Sequence, residues 1–463
     1  MKLTYTLILS LVLLACSEKE NVKPDNAELP TDKAGLEQII NSDNDDDQKL
    51  AAYWELYKID RQSNFDQAKL YLDEISILAN QTGNNLFQGR VSHANGLISY
   101  RDGDYVDAVA HYLEAIDFFA SLDDPIYRAD ALNNIGVVFM ETGNYEYAIK
   151  FLTKARENYL MAKNTRFLVM VDINLGISSF SKQDPDFEGA NKYFQRALER
   201  AGELNEKQDY YFNRIHNQIG VNKYKQADYG AAIHNYQLSL EYMGTGEGIE
   251  EKQAIAYANI GEAYMDQGNH AEAERWLEKS LELSSYVTDN LVKVDIHNMT
   301  AKLYQVQGMH AEAVKYLEKA IEIADKDVIN ESLQETIDLV RVSYKFLQNS
   351  GKPVSVARYE TALSVDGMQD SLEEELLEKA NFKSLQAALG LSLELDNQIR
   401  EKKAEVEQRE FISNVALSLG ILLIIAAILG FVYTINYRRT KKNRDEWKDV
   451  CLEVRDVLES IPN

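Results

Sequence analysis

Small, aromatic and apolar positions recur along the middle of the chain in an order typical of paired helices. In the clearest copy, Gly136 is followed by Phe139, by a second glycine at Gly143, and then by Tyr145 and Ala148. The pattern predicts a helical hairpin in which small residues on both helices let the backbones approach closely. The second glycine is expected to supply the left-handed turn that ends the first helix.

This pattern returns at intervals of about 40 residues. Its register positions are Leu56, Gly96, Gly136, Gly176, Gly220, Gly261 and Ala301. A single hairpin cannot bury its apolar face alone, so neighbouring hairpins are expected to stack side by side. The sequence therefore predicts an all-α fold, an α-solenoid of about seven to eight hairpins over residues 47–365.

The repeat resembles the tetratricopeptide repeat over about residues 47–325, with a degenerate pair continuing to about residue 363. The period is longer than the roughly 34 residues usual for that family. About six extra residues would lengthen the helices of each unit by a turn or so. Longer repeats of this kind are similar to those of bacterial peptide-responsive regulators and of kinesin light chain. The resemblance implies a concave face that holds an extended or helical peptide.

The resemblance also indicates which side chains would face such a groove. In this family an amide two positions before the register glycine often points into the groove, where it can bond the backbone of a ligand. The matching positions and their neighbours are His93, Asn133, Asn134, Asn174, Asn217, Gln218, Asn259, Glu262, Asn298 and Lys302. The alternative is that these amides belong to the repeat consensus and bond a neighbouring turn. Only Lys302 matches the basic positions with which some family members clamp a C-terminal carboxylate, so such a clamp is not expected.

Two apolar segments flank the repeats. Residues 1–15 have a basic start and an apolar stretch typical of a signal peptide. The sequence Leu-Leu-Ala-Cys at positions 13–16 resembles a bacterial lipobox, which would make Cys16 the acylated first residue of the mature protein. An ordinary signal peptide beside a chance cysteine is the alternative.

Residues 411–437 carry no charge, and a stretch of this length can cross a bilayer core of about 30 Å as a transmembrane helix.

The charges around this second segment predict its orientation. Five basic residues lie at positions 438–444, whereas residues 400–410 carry four basic and four acidic residues. The positive-inside rule therefore places the tail, residues 438–463, in the cytoplasm and the repeats in the periplasm of a bacterial inner membrane. Acylation of Cys16 would favour sorting to an outer membrane. The span is the stronger anchor, because removing about 20 apolar residues from a bilayer costs far more than detaching one acyl chain.

The remaining segments are linkers by composition. Residues 17–46 are rich in Asp, Asn, Glu, Lys and Pro, which predicts a solvated tether with one short helix at residues 36–40. Residues 366–410 predict a long juxtamembrane helix with a partial heptad seam. That seam leaves two interpretations open: a coiled coil that forms a homodimer through residues 370–410, or a capping helix folded back on the last repeat.

The net charge, the positions of the cysteines and the missing catalytic motifs argue against several classes of function. A net charge of −25 argues against a nucleic-acid surface. The two cysteines, Cys16 and Cys451, lie at opposite ends and form no disulfide framework or metal site. Signatures of phosphate loops, zinc proteases, hydrolases and kinases are missing, so we expect no enzyme and no cofactor.

The whole layout resembles bacterial envelope sensors, although it ends without a kinase or helix-turn-helix output. We therefore expect a membrane-anchored module that binds a protein or peptide outside the cytoplasm. It would relay or scaffold through the juxtamembrane helix, with a separate cytoplasmic regulator as a second partner. A purely structural scaffold for an envelope complex, without signalling, is the alternative.

Overall fold

The computed structural model describes residues 29–350, apart from residues 43, 123, 247 and 325–330. This part of the chain contains α-helices and one short 3-10 turn at Ser284–Tyr286, and no strand. The helices are α1 (Lys33–Ile40), α2 (Asp46–Asp60), α3 (Phe65–Thr82), α4 (Asn85–Arg101), α5 (Tyr105–Phe119), α6 (Ile126–Glu141), α7 (Tyr145–Met161), α8 (Thr165–Ser181), α9 (Phe187–Gly202), α10 (Gln208–Lys225), α11 (Tyr229–Glu241), α12 (Ile249–Asp266), α13 (His270–Leu283), α14 (Asn290–Val306), α15 (His310–Ile323) and α16 (Glu331–Asn349).

Several predictions concern residues outside this described part. They are the signal peptide at 1–15, the lipidation of Cys16, the juxtamembrane helix at 366–410, the span at 411–437 and the tail at 438–463. Among the helices that are described, none is both long and apolar enough to cross a bilayer.

Helices α2 to α15 pair in sequence into seven hairpins, which we number 1 (α2 and α3) to 7 (α14 and α15). Each second helix packs against the first helix of the next hairpin, and α16 packs against both helices of hairpin 7. First helices of neighbouring hairpins also pack against each other, as α8 does with α6 and α10, more closely than second helices do. The first helices therefore lie on the inner side of the stack. The predicted all-α solenoid of hairpins is confirmed.

The register glycines allow the two helices of a hairpin to touch. A Cβ atom added to Gly136 would lie 2.6 Å from Cγ of Leu152, and one added to Gly176 would lie 2.5 Å from the Phe194 ring. Real Cβ contacts are not this short, so side chains of the second helix occupy the space that glycine leaves. Three more pairs pack in this way: Gly96 with Tyr112, Gly220 with Tyr236, and Gly261 with Leu277.

Four of the seven turns between paired helices follow the predicted rule. The turns of hairpins 1 and 4 contain no residue with positive φ, and the turn of hairpin 5 is left-handed without a glycine. Gly103, Gly143, Gly268 and Gly308 have φ between 72° and 85°, the left-handed conformation that ends a helix. In hairpin 5 the equivalent residue is Ala227, which adopts φ 57°. A side chain in this conformation costs about 1–2 kcal/mol, so the packing of hairpin 5 imposes the turn despite its sequence.

The end of the predicted tether is a packed helix. Leu36 of α1 is 1% exposed and belongs to the apolar core of hairpin 1, and Lys33 Nζ lies 2.6 Å from Oδ2 of Asp60. The acidic run before α2 caps the N-terminus of that helix. The side chain of Asp45 accepts a hydrogen bond from the backbone N–H of Gln48 at 2.7 Å. Helix α1 therefore caps the first hairpin, because its apolar side chains find a surface that covers them.

We predict that Gly136→Val destabilises the protein, by about 1–3 kcal/mol or more. Its side chain would have to displace Leu152, which is fully buried between the helices of hairpin 3. Thermal unfolding of the full chain, followed by circular dichroism, measures the effect. Gly230→Ala is the control, since a Cβ there meets nothing within 4 Å. Equal melting temperatures for the two variants would contradict the packing described here.

Candidate functional site

The ten candidate groove residues lie on the first helices of hairpins 2 to 7. They are His93 on α4, Asn133 and Asn134 on α6, Asn174 on α8, Asn217 and Gln218 on α10, Asn259 and Glu262 on α12, and Asn298 and Lys302 on α14. Most are buried, with Asn134, Asn174 and Asn298 at most 1% exposed. His93, Asn217 and Lys302 are partly exposed. The register thus brings the candidates onto one side of the stack, at the junctions between first helices.

Several of these side chains bond each other across neighbouring hairpins. The pairs are Asn134 Nδ2 with His93 Nε2 at 2.9 Å, Asn174 Nδ2 with Asn133 Oδ1 at 3.4 Å, and Thr336 Oγ1 with Asn298 Oδ1 at 2.9 Å. The first two pairs join successive first helices, and the third joins α14 to α16. These hydrogen bonds therefore help to hold the stacking of the hairpins, and the role of the amides in contacting a ligand stays a prediction.

The His93 ring is neutral in this arrangement. Its Nε2 atom lies 2.9 Å from the Asn134 amide nitrogen, and an amide NH₂ group can only donate. Burial also lowers the pKa of His93 to about 4. The histidine therefore acts as a hydrogen-bond acceptor between hairpins 2 and 3 at neutral pH.

Three amides in the middle of the array retain an unpartnered atom. Oδ1 of Asn174, Oε1 of Gln218 and Nδ2 of Asn259 are buried and have no hydrogen-bond partner among the described residues. All three occupy the same register position, on the first helices of hairpins 4, 5 and 6. A buried polar atom left unpaired costs about 1–3 kcal/mol. We call these three side chains the amide strip, and it offers both acceptors and a donor.

Charged candidates in hairpins 6 and 7 have partners within the fold. Lys302 forms an ion pair with Glu335 of α16, and although burial would lower the pKa of Lys302, the Glu335 carboxylate raises it. Glu262 is 6% exposed, and its charge acts on Lys302 as well. The Lys302 ammonium group is therefore already paired with a carboxylate of the fold.

Two junctions between hairpins join a tyrosine to a carboxylate, which was not foreseen from sequence. Tyr100 donates to Oε1 of Glu141 at 3.2 Å, and burial raises the pKa of Glu141 to about 7. Tyr224 donates to Asp266 in the same way. In both pairs the carboxylate follows the tyrosine by about one repeat, so aligning the copies would have suggested them.

Two further charged groups were also missed. Asp172 of α8 is fully buried between Arg156 of α7, at 2.7 Å, and Arg200 of α9. Burial raises the pKa of Asp172, although both arginines oppose that shift. Arg214 of α10 is buried as well and makes no ion pair within the described residues.

Comparison with known proteins agrees with the repeat type. Residues 129–157 and 252–326 match models of the tetratricopeptide repeat. The chain is 25% identical over 214 residues to the Hsp70-Hsp90 organizing protein of Triticum aestivum, covering 42% of this chain and 35% of that protein. It is 35% identical over 65 residues to the photosystem I assembly protein Ycf3 of Synechococcus sp. strain CC9902, covering 14% of this chain and 36% of that protein. The chain thus spans about a third of each relative.

Solved structures show the same fold at low identity. The apo form of the quorum sensor NprR from B. thuringiensis has a TM-score of 0.55 and 14% identity, and the match covers 79% of this chain and 97% of that one. The apo form of RapI has a TM-score of 0.50 and 13% identity, and the match covers 76% and 99%. With the family matches, these similarities confirm the repeat predicted from the register positions.

We predict that Glu141→Gln removes a pH-dependent loss of stability. The pKa of Glu141 rises from 4.5 to about 7 on folding, so the folded state binds more protons than the unfolded state between these values. The stability of the native protein should therefore fall as pH rises through this window. Glutamine stays neutral and can still accept from Tyr100.

Denaturant unfolding of both proteins at several pH values between 4.5 and 7.5 checks this prediction, where 4.5 and about 7 are the bounds of the shift. The difference in unfolding free energy, variant minus native, should grow as pH rises. A difference that is constant across the window would show that Glu141 does not titrate there.

Proposed function

We propose that this tetratricopeptide-repeat protein binds an extended segment of another protein along the first helices of hairpins 4 to 6. The observation that carries the proposal is the amide strip of Asn174, Gln218 and Asn259, whose buried polar atoms have no partner among the described residues. Every residue of an extended chain except proline offers one N–H donor and one C=O acceptor. Such a segment can therefore satisfy the acceptors and the donor of the strip together.

The relatives support a role in bringing proteins together. The wheat protein is named for organizing Hsp70 and Hsp90, and the cyanobacterial protein for assembling photosystem I. Both share repeats with only part of this chain, and the partners in their names belong to those proteins. For the present chain we infer the class of ligand, a peptide or an exposed protein segment.

We further propose that the repeats are held at a bacterial inner membrane, on the periplasmic side. The apolar residues 411–437 and the basic residues that follow them support this part of the proposal. Acylation at Cys16 would add a second anchor. A bound segment could then be reported through residues 366–410 to a cytoplasmic regulator, or simply be held at the membrane.

We predict that the full chain, purified in detergent, selects short linear peptides from a random display library. Asn174→Ala, Gln218→Ala and Asn259→Ala should each weaken binding of the selected peptides about two- to tenfold, because each removes one hydrogen bond. Asn205→Ala is the matched control, since Asn205 is exposed in the loop between α9 and α10. A triple variant that binds like the native protein would refute the proposed site.

We also predict a defined orientation in the membrane. In a variant with Asn205→Cys, a maleimide that cannot cross membranes should label position 205 in spheroplasts. Cys451 should react only after the membrane is opened with detergent, because the tail is expected in the cytoplasm. Labelling of Cys451 in intact spheroplasts would contradict the single-span topology.

A further inference from the structure

Three arginines lie around one buried carboxylate where hairpins 3 and 4 meet. Arg156 of α7 and Arg200 of α9 both donate to Asp172 of α8. Arg196 lies one turn before Arg200 on α9, so both side chains project from the same face of that helix. We call Arg156, Arg196 and Arg200 the arginine cluster.

The arginine cluster carries more positive charge than the fold neutralises. Asp172 is the only carboxylate of the described residues within ion-pair distance of any of the three arginines. Burial raises the pKa of Asp172, and the charges of Arg156, Arg200 and Arg196 oppose that shift. Three guanidinium groups against one ionised carboxylate leave an excess of two positive charges. Cations that are partly removed from water are costly unless they are paired.

The cluster also has hydrogen-bond donors to spare. Within the described residues, Arg156 donates only from Nε and Arg200 only from Nη1, although each guanidinium has several further N–H groups. Nε of Arg196 is buried and likewise has no partner there. The guanidinium carbon of Arg196 lies 4.5 Å from the centroid of the Tyr193 ring. The ring orders this guanidinium but does not neutralise its charge.

A small ligand can reach these groups from solvent. The side chains of Arg156 and Arg200 are 19% and 20% exposed, whereas that of Asp172 between them is 0% exposed. The three arginines belong to second helices, and the first helices form the inner side of the stack. The cluster therefore faces away from the amide strip, and its role is independent of the proposed peptide binding.

We propose that the arginine cluster binds a small oxyanion with two negative charges, either free phosphate or the phosphate group of a monoester. Such an anion matches the excess charge of the cluster. Its oxygens can accept several charged N–H groups at once, and guanidinium groups suit this geometry. The net charge of −25 repels anions at long range, so binding comes from the local contacts. Asp172 holds Arg156 and Arg200 in place before the anion arrives.

Isothermal titration calorimetry of the full chain in detergent tests the proposal, with inorganic phosphate as the probe and sodium chloride keeping the ionic strength constant. We expect the native protein to bind phosphate and Arg196→Met to bind it about tenfold more weakly, or less. Arg275→Met is the matched control, because Arg275 lies on the second helix of hairpin 6, is 66% exposed and pairs with Glu272. It should bind phosphate as the native protein does.

Thermal unfolding separates a binding role from a structural one. Without phosphate, Arg196→Met should melt close to the native protein, because Arg196 makes no hydrogen bond to Asp172 within the described residues. Added phosphate should raise the melting temperature of the native protein and of Arg275→Met more than that of Arg196→Met. If Arg196→Met alone melts markedly lower without phosphate, Arg196 is a structural partner of Asp172 and the proposal is wrong.

Phenyl phosphate, titrated in the same way, distinguishes the two sources of the anion. Binding of inorganic phosphate but not of phenyl phosphate would identify the free ion as the ligand, and binding of the ester at least as tightly would identify a monoester. A native protein that binds neither would overturn the proposal. So would equal binding of phosphate by the native protein and Arg196→Met. Neither result changes the case for the amide strip.

Discussion

The close contact between the two helices of each hairpin is the constraint on which the rest of the array depends. In hairpins 2 to 6, whose register residue is glycine, the second helix inserts a ring or a leucine into the space that a side chain would fill, as Phe194 does against Gly176. This contact sets how closely the two helices of these hairpins approach. The apolar side of the hairpin that stays exposed can then be covered only by the first helix of the next hairpin. Repetition of this one local contact produces the stacking and packs the first helices against each other.

That stacking decides which polar groups are satisfied. Bringing first helices together buries the side chains at their junctions, and each buried polar group needs a partner. Near the two ends of the array the junctions provide one, through His93 with Asn134 and through Asn298 with Thr336. In the middle of the array, the amide strip and Arg214 each keep a buried polar atom that has no hydrogen-bond partner among the described residues. The same packing rule therefore yields structural bonds at some junctions and, within the described part of the chain, leaves polar atoms without a partner at others, Trp54 Nε1 in hairpin 1 and Arg128 Nε in hairpin 3 among them.

Much of the fold could be predicted from sequence, because the residues that make the hairpins are also those that repeat. Gly136 predicted the close contact between the two helices, and Gly143 predicted the left-handed turn between them. The short helix at residues 36–40 was predicted, but its packing was missed, because Leu36 stands in a polar stretch and only the surface of hairpin 1 makes its burial favourable. The left-handed conformation of Ala227 could not be predicted from sequence either. Alanine disfavours this conformation, and the packing of the hairpin around it imposes the turn. The segments on either side of residues 29–350 stay predictions.

The site could be predicted only in part, for a different physical reason. The register placed the amides on the first helices, but how deeply they are buried depends on how closely neighbouring hairpins approach, which no single repeat encodes. Arg214 was missed because an isolated arginine in a sequence carries no sign of whether a carboxylate will reach it.

The scaffold beneath the amide strip also bears on affinity. Every residue of α8 from Leu168 to Phe180 is buried, and Asp172 ties this helix to hairpin 3 through Arg156 and to the second helix of its own hairpin through Arg200. A helix held this firmly loses little conformational freedom when a ligand arrives. Unpaired polar groups on a rigid support can therefore favour binding strongly, because the protein has already met the cost of burying them during folding.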